Sequence, residues 1–212
     1  MTTTQKTRSP APRNPAPRTR KIVPAADAQQ QILDAVDELF YREGARSVGI
    51  DAVVKRAGVN KMSLYRQFES KDALLLHYLE GRDALFWSKF DASLAKHPDA
   101  PRAQLMQLFV DLAERTRKPT YRGCPFVNIA AEFPDPEHPA RQAVARNKAQ
   151  LLKRLVAVAK AAGARDPAAL ARGLALLIEG GYTASQTFEP GHPVLKALPE
   201  TAGILIEAAC GG

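Results

Sequence analysis

Ile50-Asp51-Ala52-Val53-Val54-Lys55-Arg56-Ala57-Gly58-Val59-Asn60-Lys61-Met62-Ser63-Leu64-Tyr65-Arg66-Gln67-Phe68 has the proportions of a short helix, a turn and a second short helix. Val53, Val54 and Ala57 share the face that a first helix over residues 50–57 would bury. Gly58 breaks that helix and can take the left-handed conformation the turn requires. Ala57 is small enough to let the helices approach, and Val59 can plug the angle between them. Asn60 can cap the second helix. Leu64 and Phe68, four apart, then face a core, while the pairs Lys61/Tyr65 and Met62/Arg66 point away from it. That outward face carries ammonium, phenol, thioether and guanidinium groups, which suit phosphates and base edges in a DNA major groove.

The flanking sequence is helical too. Ile32, Leu33, Val36, Leu39 and Phe40 form one apolar stripe, with Asp27 and Gln30 as a capping-box-like start and Gly44 as a stop. Ser70 can cap a long fourth helix from Lys71 through Leu74, Leu75, Tyr78, Leu85, Phe86 and Phe90. Further helices are expected over residues 103–118, 126–133, 140–162, 167–186 and 199–210, the last two opening on proline, whose missing N–H costs little there. No alternating strand pattern and no internal repeat is present, so the expected fold is all-α.

Composition narrows the class. The chain has 212 residues, 45% hydrophobic and 25% charged, enough for a sizeable core. No apolar run reaches 18 residues and no secretory leader pattern opens the chain, so no membrane partner is expected. Two cysteines, Cys124 and Cys210, fit a reducing cytoplasm. They form no metal-ligand pattern with the four scattered histidines, and no metal or cofactor is expected. Of the net charge of +8, six charges lie in residues 1–26, a Pro-, Thr- and Arg-rich stretch expected to be a disordered basic tail. It is either a solvated tail or an arm adding non-specific affinity for phosphates.

Between Ser47 and Lys71 five cations face two acids, a modest basic patch. Lys61 and Lys71 stand at first helical positions, where the macrodipole disfavours a cation by ~0.3–1 kcal/mol. Either both extend into water, or a polyanion is to arrive there.

The run Ala57-Gly58-Val59-Asn60-Lys61-Met62-Ser63-Leu64-Tyr65-Arg66-Gln67-Phe68-Glu69-Ser70-Lys71-Asp72-Ala73-Leu74 resembles the signature of the TetR family, and the helix from Ile32 to Gly44 is similar to that family's first helix. The resemblance covers about residues 28–75. It implies a helix-turn-helix regulator of transcription, in which Ser63, Tyr65 and Lys71 contact phosphate and Lys61, Met62 and Arg66 approach bases. Asn60 stands for the usual Ser, and Met62 for a frequent Gly, giving a bulkier recognition face. Gly49 stands where Thr or Ser commonly caps and touches phosphate, with Ser47 as the candidate substitute.

Beyond the tail read from composition (1–26), the same resemblance divides the chain into a DNA-binding domain (27–75) and a helical ligand-binding and dimerisation domain (76–212). It implies a homodimer on double-stranded DNA at a palindromic operator, a small-molecule effector, and repression as the mode. Phe86, Trp87, Phe90, Phe109, Phe126, Phe133 and Tyr182 are candidates to line an apolar cavity, with Asn128, Glu132 or Gln186 as polar handles; each is equally readable as ordinary core. Leu170, Leu174, Leu177, Ile178, Ile204 and Leu205 are the candidate dimer residues, and Gly173, Gly180 and Gly181 mark close helix approach or a break near Gly180. The run from Gly123 to Asp135 is similar to a segment in one branch of these regulators. Two rivals centre on Cys124-Pro125-Phe126: a thiol sensor within a regulator, or a thiol enzyme, which would need a preceding strand where residues 103–118 look helical.

Overall fold

The computed structural model describes residues 24–211, and among them the chain forms nine α-helices and no strand. They are α1 (Ala25–Glu43), α2 (Ile50–Ala57), α3 (Lys61–Gln67), α4 (Lys71–Ala95), α5 (Pro101–Thr116), α6 (Pro125–Glu132), α7 (Pro139–Ala161), α8 (Pro167–Thr187) and α9 (Pro193–Cys210). The basic tail expected over residues 1–26 lies outside the described residues, except that α1 has already begun at Ala25.

Local chemistry sets most boundaries. Gly58 ends α2 in the left-handed region, φ 70°. The Asn60 side chain accepts from the Ser63 N–H at 2.8 Å, and the Ser70 hydroxyl from the Ala73 N–H at 3.0 Å. Two expectations at helix starts are corrected. Asp27 does not cap α1: Pro24 precedes the helix without a side-chain cap, Ala28 N–H bonds the Pro24 carbonyl, and Gln30 donates instead to Asp34. Burial of Ala28 draws the helix back by a turn, leaving Asp27 inside the first turn, where its charge still suits the dipole. Helix α9 starts at Pro193, not Pro199, because His192 caps it and Leu195 and Leu198 are buried ahead of the second proline.

Helices α1 to α3 pack Ile32, Val36, Phe40, Val53, Leu64 and Phe68 into the near end of one apolar core. The long α4 carries that core into the rest of the molecule, with Tyr78 edge-on to Phe40 at 5.6 Å between ring centroids. Beyond it α5 lies against α9, and α8 against both α7 and α9. Buried Asn147 of α7 donates to Asp83 of α4 at 2.8 Å, and Asp83 also accepts from the Trp87 indole at 3.0 Å. Arg102 closes the far end, its guanidinium donating to the carbonyls of Ala162 and Cys210, both at helix C-termini where a cation is favoured.

Helix α8 is unbroken through Gly180. Of the three glycines expected at close approaches, Gly181 is one: a Cβ there would lie 3.1 Å from side-chain carbons of both Leu112 and Leu198. Gly180 has open space beside it, and Gly173 has only Leu205 at 3.8 Å. The expected dimer face also needs correction. Leu170, Leu174 and Ile178 are buried within the protomer's own core, where they fill the seam with the neighbouring helices. Leu177 and Leu205 are half-buried, and the large apolar side chains turned outward on α8 and α9 are Leu176, 75% exposed, Ile204, 64% exposed, and Val194 near the start of α9.

Candidate nucleic-acid interface and interior cavity

Helix α3 owes its orientation to two inward anchors, Leu64 and Phe68, both essentially inaccessible. With that face buried, helical geometry turns Lys61, Met62, Tyr65 and Arg66 to solvent, and Ser63 sits half-buried at the helix's first turn. Met62 is 65% exposed and Tyr65 48%, a large apolar and aromatic surface with no internal packing to explain it. Lys61, however, is not unpaired: its ammonium lies 2.7 Å from the Asp51 carboxylate of α2. That pair answers the dipole conflict at the start of α3 within the chain itself. Lys71 likewise finds an internal partner. Its Nζ donates to the Arg46 carbonyl at 3.0 Å, and burial pulls its pKa below the usual lysine range. Ser47 is exposed in the loop between α1 and α2, its hydroxyl donating to the carbonyls of Glu43 and Gly44, and no side chain caps α2. The exposed face therefore presents Met62, Tyr65 and Arg66 freely, with Lys61, Ser47 and Lys71 at its edges.

A cavity of about 260 Å³ opens between α4, α5, α6 and α8. Phe86, Phe90, Phe126 and Tyr182 line it, as expected of them. Trp87, Phe109, Asn128 and Glu132 do not. Trp87 stands behind the wall, edge-on to Phe86 and Phe90 at 4.9 and 5.7 Å. Phe109 is fully buried core, and Asn128 spans the α6 loop, donating to the Arg122 carbonyl and accepting from Gln186. Cys124 lines the cavity too, 3% exposed, with the Lys148 ammonium 3.6 Å from its sulfur. It follows a loop from α5 rather than a strand, so the thiol-transferase arrangement is absent here.

Glu132 does something else. It ends α6, and its carboxylate accepts from the Arg46 N–H at 2.7 Å while the Arg46 guanidinium donates to the Glu132 carbonyl at 3.1 Å. Gly44 makes room for it: a Cβ there would sit 3.1 Å from a Glu132 oxygen. A second tie was not legible in the sequence. Tyr41, on α1, lines the cavity; its hydroxyl donates to the Gly123 carbonyl at 3.1 Å and accepts from the Arg122 N–H at 2.8 Å. Its ring carries the Arg82 guanidinium 4.7 Å from its centroid. The available signal was only that Tyr41 directly follows the apolar stripe of α1, a position compatible with many roles. The cavity wall and the helix-turn-helix unit thus share Tyr41, and four hydrogen bonds tie α1 and the loop after it to α6 and the loop before it.

The bacterial regulatory protein family tetR is matched over residues 32–78, and the tetracyclin repressor-like C-terminal domain over residues 101–198. The chain is 32% identical over 172 residues to the transcriptional regulator AcuR of Cereibacter sphaeroides, covering 77% of this chain and 78% of that protein. Its fold is similar to that of a TetR-family transcriptional regulator from Streptomyces coelicolor, with TM-score 0.83, 30% identity, and coverage of 87% of this chain and 97% of that one. It is also similar to the regulatory protein TetR from Rhodobacter sphaeroides, with TM-score 0.71, 25% identity, and coverage of 84% and 98%. The outward face of α3, the all-helical architecture and these matches together place the chain in the TetR family of DNA-binding transcriptional regulators, which are not enzymes.

Proposed function

We propose that this chain is a ligand-responsive repressor that binds a palindromic operator as a homodimer, with residues 27–75 reading DNA and residues 76–212 sensing and dimerising. The observation that carries the ligand response is Tyr41, which belongs to the first helix of the DNA-binding unit and to the cavity wall at once. A ligand that displaces Tyr41 or the loop it holds shifts the population toward a conformation with differently spaced recognition helices. DNA affinity then falls by the ligand's differential binding to the two states. The exposed Leu176 and Ile204 offer the apolar surface through which two copies would pair. A two-fold axis would set the recognition helices one DNA turn, about 34–36 Å, apart.

Fluorescence anisotropy with duplex from upstream of the chain's own gene tests the DNA half of this reading, using random duplex as competitor at several salt concentrations. The expected result is competitor-resistant binding by two or four protomers. Arg66→Ala is expected to weaken it without lowering thermal stability, since Arg66 is exposed. Binding to upstream and random duplex with equal affinity would refute operator recognition at that site, and equal loss of binding and stability in Arg66→Ala would make Arg66 structural.

A second reading has one observation in its favour: the Lys148 ammonium beside Cys124 inside the cavity wall. The thiol lines the cavity, where an oxidant or electrophile that enters would meet it. On this reading Cys124→Ser abolishes any response of DNA binding to peroxide, and a variant that responds like the native protein removes it.

A further inference from the structure

The cavity lining contains four cations, Arg82, Lys89, Arg115 and Lys118, and no carboxylate. Elsewhere three cations are matched by carboxylates: Lys96 with Asp111 at 2.7 Å, Lys148 with Glu179 at 2.7 Å, and Arg154 with Asp91. At the cavity only Arg82 is, its guanidinium lying 2.6 Å from Asp37. Arg115 lies near the Tyr121 phenol, a neutral group, and Arg115, Lys89 and Lys118 have no ion-pair partner among the described residues. The neighbouring acid on α5, Asp111, is occupied by Lys96, Ser93 and Gln107. Burial, then the like charges of Arg115, Arg82 and Lys118, hold Lys89 below the usual lysine range. The folded chain thus holds an unbalanced positive charge at the rim of an apolar chamber.

We infer that this cavity takes a small anion with an apolar body: a carboxylate or phosphate group met by Lys89, Arg115 and Lys118, and a hydrocarbon portion against Phe86, Phe90 and Phe126. The geometry divides the labour by helix. Lys89 stands on α4 two helical turns beyond Arg82, while Arg115 and Lys118 leave the C-terminal end of α5, where a cation is well placed. Tyr121 and Tyr182 add phenols that burial keeps protonated, so they remain hydrogen-bond donors to an anion at any physiological pH. At about 30 Å³ per solvent-sized group, the chamber has room for roughly nine such groups. That is the scale of a medium-chain or single-ring acid rather than a multi-ring drug. The inference rests on the cavity being the effector site proposed above, and its test separates the two.

Octanoate and octyl phosphate are titrated against the full chain, with octanamide and octanol as neutral matches. Calorimetry provides one readout and Trp87, the single tryptophan, packed behind Phe86 and Phe90, provides another. The expected result is that an anion binds about tenfold or more tightly than its neutral match. The double variant Lys89→Met, Lys118→Met is expected to lose that preference while still unfolding cooperatively. Lys118→Gln alone, at an exposed site, is expected to lose part of it. Octanoate ahead of octyl phosphate assigns a carboxylate, and the reverse a phosphate. Octanamide binding as tightly as octanoate overturns the inference, as does failure of both anions to bind. An anion that binds with the charge preference yet leaves DNA affinity unchanged supports the anion site and refutes the effector reading.

Discussion

Replacing Tyr41 with phenylalanine deletes one oxygen atom and two hydrogen bonds, those to the Gly123 carbonyl at 3.1 Å and from the Arg122 N–H at 2.8 Å. Both cross from α1 to the loop that leads into α6, so nothing local replaces them. Each net hydrogen bond contributes about 0.5–1.5 kcal/mol, giving about 1–3 kcal/mol for the pair. The phenyl ring remains beneath Arg82 and keeps the cavity wall closed, so the cavity term of a truncation to alanine does not enter. At this chain length each kcal/mol lowers Tm by about 2–4 °C. Thermal and urea unfolding of Tyr41→Phe measure this, with Tyr65→Phe, whose ring is largely exposed on α3, as the control. A Tyr41→Phe curve superimposable on the control would refute the pinning of α1 to the α6 loop. The same variant carries a functional arm. If the hydroxyl transmits occupancy of the cavity, ligand lowers DNA affinity less in Tyr41→Phe than in the native chain. A full response in a destabilised variant would reduce Tyr41 to a structural tie.

Asn60→Ala removes the α3 cap and is expected to cost about 0.5–2 kcal/mol in urea unfolding, with DNA affinity falling as the recognition helix frays; unchanged stability would show the cap contributes nothing. Gly58 and Gly123 both have left-handed φ, 70° and 67°, but a Cβ meets open space at the first and Tyr182 O at 2.8 Å at the second. Alanine is therefore expected to cost about 1–2 kcal/mol at Gly58 and about 1–3 kcal/mol more at Gly123. Equal losses in urea unfolding would rule out the close contact. At Asp111, burial alone would raise the carboxyl, but hydrogen bonds from Lys96, Ser93 and Gln107 together hold it below the ordinary carboxylate range. Its contribution is therefore complete above the unfolded pKa of about 3.9 and is lost as pH falls through the depressed folded value. Asp111→Asn is expected to cost about 1–2 kcal/mol at pH 7, discounted for the exposed Lys96, with the gap to the native chain shrinking toward pH 3. A gap that is constant with pH would mean the charge is irrelevant.

What the sequence alone determined is what depends on neighbours a few residues away. Asn60 and Ser70 cap the helices they precede, Gly58 makes the turn, and Leu64 with Phe68 decides which face of α3 looks outward, because each acts through hydrogen bonds or spacings within four residues. The all-helical fold follows from the same local rules, and the family signature around Ala57 to Leu74 is a record of them. The two misplaced starts, at Asp27 and Pro199, fell where tertiary burial of Ala28, Leu195 and Leu198 outweighed a local cap or a missing N–H. Leu170, Leu174 and Ile178 show the limit of periodicity: it identifies an apolar face but not whether the chain's own core or a second copy covers it.

The site is where tertiary structure decided most. Tyr41 meets Gly123 across 82 residues, and Arg46 meets Glu132 across 86. No local pattern encodes such a meeting. Trp87 and Phe90 differ by three positions on one helix, yet one stands behind the cavity wall and the other forms it. Lys89, Arg115 and Lys118 are unremarkable surface cations in the sequence; a faint signal lay in Arg82 and Lys89 sharing the stripe of Leu85, Phe86 and Phe90. Charge acts through space, and only packing α4 against α5 shows that these cations converge on one chamber without an acid to balance them.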